Sequence, residues 1–77
     1  MEEFLAYLAR FLVDRPGDVY VDSFEEDDGT IVLELEVAEE EAGKVIGRGG
    51  RTVAALRTVM KAASVRHGRR VLVDVVD

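Results

Sequence analysis

Three glycines within four residues, Gly47-Arg48-Gly49-Gly50, interrupt a stretch that otherwise reads as helix on both sides. That break constrains the fold more than any other feature. Glycine lets the chain turn through conformations closed to other residues and lets another backbone approach closely. A helix resuming directly after such a turn presents free amides and a partial positive charge at its N-terminus, which favours an anion. Lys44, Arg48 and Arg51 surround the turn with side chains that reach phosphates. No acid occurs between Gly43 and Val73, so the charge of these three is expected to be undiluted. Glycine corners between helices are common. The combination with apolar Val45-Ile46 before the turn, flanking bases and a following helix is much rarer, and it points to a phosphate grip.

Hydrophobic periodicity supplies the rest. Phe4, Leu5, Leu8, Phe11 and Leu12 recur at helical spacing and predict an amphipathic helix over residues 2–13, stopped by Arg15-Pro16-Gly17. Val19, Val21 and Ser23 alternate loosely with Tyr20, Asp22 and Phe24. A cleaner strand follows, with Ile31, Leu33, Leu35 and Val37 on one side and Thr30, Glu34 and Glu36 on the other. The polar stretch Glu25-Glu26-Asp27-Asp28-Gly29 makes the pair an antiparallel hairpin, and it lacks the ligand spacing of a calcium loop. A short helix is expected over residues 39–46, its first turn acidic, and a longer one over residues 51–66 with Val53, Leu56, Met60 and Ala63 buried. Val71, Val73 and Val75 form a last strand. The order is α-β-β-α-α-β, an α+β domain with a three-stranded sheet and helices packed on one face.

Charge is divided along the 77 residues, which leave room for one domain. The overall net of −6 argues against a polyanion partner, but residues 1–42 hold fourteen acids and two bases, whereas residues 43–77 hold eight bases and two acids. The halves stand at −12 and +6, and this asymmetry suits a nucleic acid on one face only. There is no cysteine for disulfides or thiolate metal sites. No apolar run is long enough to span a bilayer, and Met1-Glu2-Glu3 is unlike a secretory leader. A cytoplasmic location is expected, with no membrane partner.

Catalysis is not expected. Arg48 stands where a P-loop needs its second glycine, and Thr52 where the dinucleotide fingerprint needs its last. His67 is the one histidine, beside helix-ending Gly68, and no metal or cofactor is expected.

Ile46, Gly47, Arg48, Gly49 and Gly50 resemble, position by position, the Ile-Gly-x-x-Gly signature of KH domains, which clamps the backbone of four single-stranded nucleotides. The element order resembles the type II KH arrangement over nearly the whole chain. A lone domain with the run Gly-Lys-Val-Ile-Gly-Arg-Gly-Gly-Arg closely resembles the bacterial KhpA family. That resemblance implies a non-enzymatic protein binding single-stranded RNA, acting on small and messenger RNAs as a chaperone or regulator. It also implies a homodimer, or a heterodimer with a KhpB (Jag)-type partner. The family's apolar groove floor falls here on Val45, Ile46 and Val53, with Val32 or Val37 on the strand side. Lys44 to Arg51 and Val53 are thus the expected RNA-binding residues. The alternative is a KH-shaped protein–protein adaptor with little RNA binding.

Overall fold

A computed structural model describes residues 1–76. Helix α1 spans Glu2–Arg10, strands β1 and β2 span Tyr20–Glu25 and Ile31–Glu36, helices α2 and α3 span Ala42–Ile46 and Arg51–Val65, and strand β3 spans Val71–Val76. Single 3-10 turns precede β1, α2 and α3. The predicted order and α+β class hold.

β2 is the central strand. It pairs antiparallel with β1 and parallel with β3, so the sheet is mixed. The parallel pair is possible because α2 and α3 form the crossover between β2 and β3. Alternation along the strands gives the sheet two unlike faces. On one, Leu33, Leu35 and Val73 join Leu5, Ala6 and Ala9 of α1, Val45 of α2, and Leu56 and Met60 of α3 in one core. On the other, the register sets Asp22, Glu34 and Asp74 side by side across all three strands. Like charges directly opposite one another are unfavourable, and this row makes the open face repellent to anions. Phe24, Val32 and Leu72 form the neighbouring row.

Two expectations for α1 change. The helix ends at Arg10 rather than at residue 13, with Val13 turned into the core. In a longer helix the Asp14 amide would bond to Arg10; instead it donates to Glu41 Oε2, and the Arg15 amide donates to Glu41 Oε1 at 3.0 Å. A carboxylate from a distant segment thus takes the amides that would have continued the helix. The buried stripe also moves, to Leu5, Ala6 and Ala9, leaving Phe4 and Phe11 exposed, the latter by 73%. Small alanines let α1 lie close against the sheet, and the large aromatics are displaced to the flank.

Residues 39–46 are a 3-10 turn over Glu39–Glu41 followed by α2, not one helix. On α3 the innermost stripe is Val53, Leu56, Met60 and Ser64 rather than Ala63. Ser64 is tolerated there because its hydroxyl donates to the Lys61 carbonyl at 2.7 Å. Among the described residues, no helix is long and apolar enough to cross a membrane.

Candidate nucleic-acid interface

The glycine turn stands open between α2 and α3. The Gly47 amide closes α2 on the Gly43 carbonyl at 2.8 Å, and the Gly50 amide returns to the Gly47 carbonyl at 3.1 Å. Gly47 lies at φ +77°, ψ 170°, a region reserved for glycine. A Cβ there would stand 2.2 Å from Thr52 Oγ1. The first glycine is therefore required by packing inside the protein. Gly49 and Gly50 also have positive φ, but a Cβ at either would meet nothing within 4 Å. Their outer surface is free, which the sequence reading requires of a niche for a phosphate backbone. No side chain caps the N-terminus of α3, so its polar end faces the same opening.

The cations around the turn divide into two kinds. Arg48 and Arg51 are exposed and form no ion pair among the described residues. Lys44 is engaged elsewhere: its ammonium lies 2.5 Å from Asp14 Oδ2 and 3.4 Å from Glu41 Oε2. The expectation of undiluted charge fails for this residue, because the acids come from outside the basic stretch. Glu41 is 97% buried, its side chain held by two backbone amides and Lys44. Those amides, that of Asp14 foremost, hold its carboxyl below the usual range against the opposing effect of burial. The hydrogen bond from Lys44, and then its charge, lowers Asp14 in the same way, while the Asp14 bond raises Lys44. Arg15 adds a pair to Glu40 at 2.5 Å. Together these contacts latch the segment after α1 to the start of α2.

The expected apolar floor is partly assembled. Ile46, at the end of α2, is 41% exposed beside the turn, whereas Val45 is fully buried in the core and Val53 is buried on α3. On the strand side the expectation does not hold. Val37 lies in the core, and Val32 falls on the face away from the helices, between Phe24 and Leu72.

Two features escaped the sequence. Arg57 on α3 donates from Nε to the Val73 carbonyl at 3.1 Å, fixing a cation on the edge strand β3. Beside the turn, a groove of about 310 Å³ between α1 and α3 is lined by Leu8, Phe11 and Leu12 and by Thr52, Ala55 and Val59. Phe11 carries Tyr7 edge-on, with ring centroids 5.0 Å apart. Only the excess width of the apolar pattern on α1 hinted at this groove.

The chain is similar over its whole length to known proteins. The family described as "KhpA/KhpB, KH domain" matches residues 2–75. The RNA-binding protein KhpA of Clostridium perfringens is 42% identical over 76 residues, covering 99% of this chain and 100% of that one. Its namesake from Clostridium acetobutylicum is 45% identical over the same coverage, and that of Treponema pallidum is 45% identical over 99% and 94%. Among solved structures, Aquifex aeolicus Era (the Y63A form bound to GDP.AlF4-) superposes with a TM-score of 0.64 at 19% identity. It covers 96% of this chain but 28% of its own, a likeness of fold alone. With the glycine turn, the mixed sheet and this full-length similarity together, the chain belongs to the KhpA/KhpB KH-domain family.

Proposed function

We propose that this protein binds single-stranded RNA, holding its sugar-phosphate backbone on the turn Gly47-Arg48-Gly49-Gly50. The observation that carries this reading is the open surface above Gly49 and Gly50, at an uncapped helix N-terminus flanked by two arginines that form no ion pair among the described residues. In this reading Arg48 and Arg51 contact phosphates, Ile46 supplies apolar surface to the bases, and Lys44, Val45 and buried Val53 hold the turn in place. The acidic row Asp22, Glu34 and Asp74 keeps RNA off the opposite face. The relatives' name, RNA-binding protein KhpA, agrees with it. Its cellular role is that of an RNA chaperone or post-transcriptional regulator on small and messenger RNAs in the cytoplasm. A grip on about three phosphates gives a log–log salt slope near −2. So short a contact discriminates poorly, and a second domain raises specificity through effective concentration. The exposed alanines of α3 and the apolar groove beside the turn suit a second copy or a KhpB-type partner in that role.

The test replaces Arg48 and Gly49 together by aspartate. Asp accepts the left-handed conformation of Gly49 (φ +65°, ψ 18°) better than most residues. The expected outcome is at least a tenfold loss of affinity for single-stranded RNA in a polarisation titration, with unchanged helical circular dichroism. Undiminished binding by the double mutant removes the turn from the mechanism. A wild-type protein that carries no nuclease-sensitive nucleic acid and binds no RNA favours the adaptor.

A further inference from the structure

The sheet has two edges, and a side chain covers part of one. At β3 the Arg57 side chain reaches from α3 to the Val73 carbonyl at 3.1 Å. β1 is the opposite edge. Just beyond it, the Glu26 amide donates to the Thr30 carbonyl at 2.8 Å, and hydrogen-bonded pairs alternate along an antiparallel ladder. Tyr20, Asp22 and Phe24 therefore turn their amides and carbonyls toward β2, while Val21, Ser23 and Glu25 turn theirs outward. Among the described residues no group takes these outward amides or carbonyls.

Exposed edges are commonly guarded by a proline, a bulge or charged side chains. β1 has no proline and an unbroken register, and its charged residues, Asp22 and Glu25, are both acidic. Such a guard is selective. Like charges opposed across strands are destabilising and opposite charges stabilising, so it repels a second copy of β1 and admits a basic strand. The two flanks of the edge also differ. On the helix side a groove of about 570 Å³ is lined by Ala6 and Tyr7 of α1 and by Val19 and Val21, with exposed Glu2 and Arg10 also in its lining. On the open side Asp22 begins the acidic row continued by Glu34 and Asp74. A strand laid along β1 alternates its side chains between these flanks.

We infer that the β1 edge is a docking site for an extended segment of another protein in which apolar and basic residues alternate. Its backbone joins the sheet as a further strand through Val21, Ser23 and Glu25. Its apolar side chains enter the groove beside Tyr7 and Val21, and its lysines or arginines lie over Asp22 and Glu34. In strand addition of this kind, main-chain bonds supply affinity and alternate side chains supply specificity. α2 and α3 pack against β3, at the other edge, so the inference stands without RNA binding at the glycine turn.

The experiment titrates the intact protein with a fluorescent peptide of alternating valine and lysine, about seven residues long to match a strand. Hydrogen exchange read by NMR locates it. With peptide at about ten times its Kd, exchange at the Val21, Ser23 and Glu25 amides should slow about tenfold, and exchange at Gly49 and Gly50 should not change. Ser23→Pro removes an outward amide that no internal bond uses, a position where an edge strand accepts proline. It should weaken the peptide about tenfold with unchanged circular dichroism. Asp22→Lys reverses a charge, keeps every backbone bond, and should weaken the peptide about fivefold. The same peptide N-methylated throughout keeps its charge, loses its donors and should not bind, which decides the matter even where Ser23→Pro fails to fold. Binding that survives Ser23→Pro, or that the N-methylated peptide reproduces, overturns the inference and leaves only the attraction of a cation to an acidic surface. Failure of the peptide to bind overturns it as well, as does protection at Gly49 and Gly50 instead of β1. Protection of the β1 amides without peptide, together with a dimer in sedimentation, gives the edge to a second copy and overturns it too.

Discussion

The two ends of α2 handle charge in opposite ways. At its N-terminal end Glu41 is buried and bonded, Lys44 lies between two carboxylates, and Arg15 meets Glu40. At its C-terminal end Arg48 and Arg51 have, among the described residues, no acid within ion-pair distance, and the glycine backbone is bare. The first arrangement fixes the helix to the rest of the protein; the second leaves donors unmatched. Exposed ion pairs contribute little, so the fixed end depends mainly on Glu41, the buried member that satisfies two backbone amides. In the proposed function such an anchor helps the turn hold a flexible polyanion, because any looseness in α2 lowers affinity by adding to the ordering cost of binding.

The largest expected effect lies at the boundary between the two ends. Gly47→Ala forces a side chain into a glycine-only conformation and against Thr52, and both penalties act at once. It should cost about 3 kcal/mol or more in a urea melt. Gly49→Ala meets open space, and its cost is the left-handed conformation alone, about 1 kcal/mol. Equal losses would mean that the glycines share one role, and the distinction between internal packing and external access would collapse.

Glu41→Gln probes the fixed end. The amide retains one acceptor, but its NH2 group faces a backbone donor, and Lys44 loses its second carboxylate. The urea midpoint should fall, with RNA affinity dropping less than in the Arg48/Gly49 aspartate variant. Acid should do the same to the wild type. Glu41 and Asp14 have lowered pKa values in the folded protein, so their contribution is complete above the ordinary values of 4.5 and 3.8 and is lost as pH falls through the lower folded values. Melts from pH 6 down to pH 3 should therefore show a steeper loss in the wild type than in Glu41→Gln. Parallel curves would exclude Glu41 as the anchor.

This difference between the ends also decides what could be read from sequence. The open end was legible because its determinants are local: glycines, arginines and a helix start within a few residues. β2 was legible for the same reason, through the alternation of Ile31, Leu33 and Leu35. The fixed end was not, since Glu41 and Asp14 meet across 27 positions and nothing local announces that a carboxylate will take amides away from α1. The same limit misplaced Val32, an apolar residue whose face is settled by β2 lying between two neighbours. Phe11 followed the helical pattern yet missed the core, because Ala6 and Ala9 set the distance between α1 and the sheet.

The smallest effect separates lysine from arginine across α2. Arg51→Met removes an exposed cation and should flatten the salt slope of RNA binding by about 0.7, the share of one phosphate on a single strand. Lys44→Met should leave that slope unchanged, for a simple reason of competition. A phosphate recruiting the Lys44 ammonium has to displace Asp14 at 2.5 Å and Glu41 at 3.4 Å, trading two formed contacts for one. Exposed Asp14 could give way at little cost, but Glu41 is buried, and parting it from Lys44 leaves its charge less compensated in a place water reaches poorly. Equal slope changes in the two variants would show that the latch opens when RNA arrives, and that the fixed end of α2 belongs to the binding surface after all.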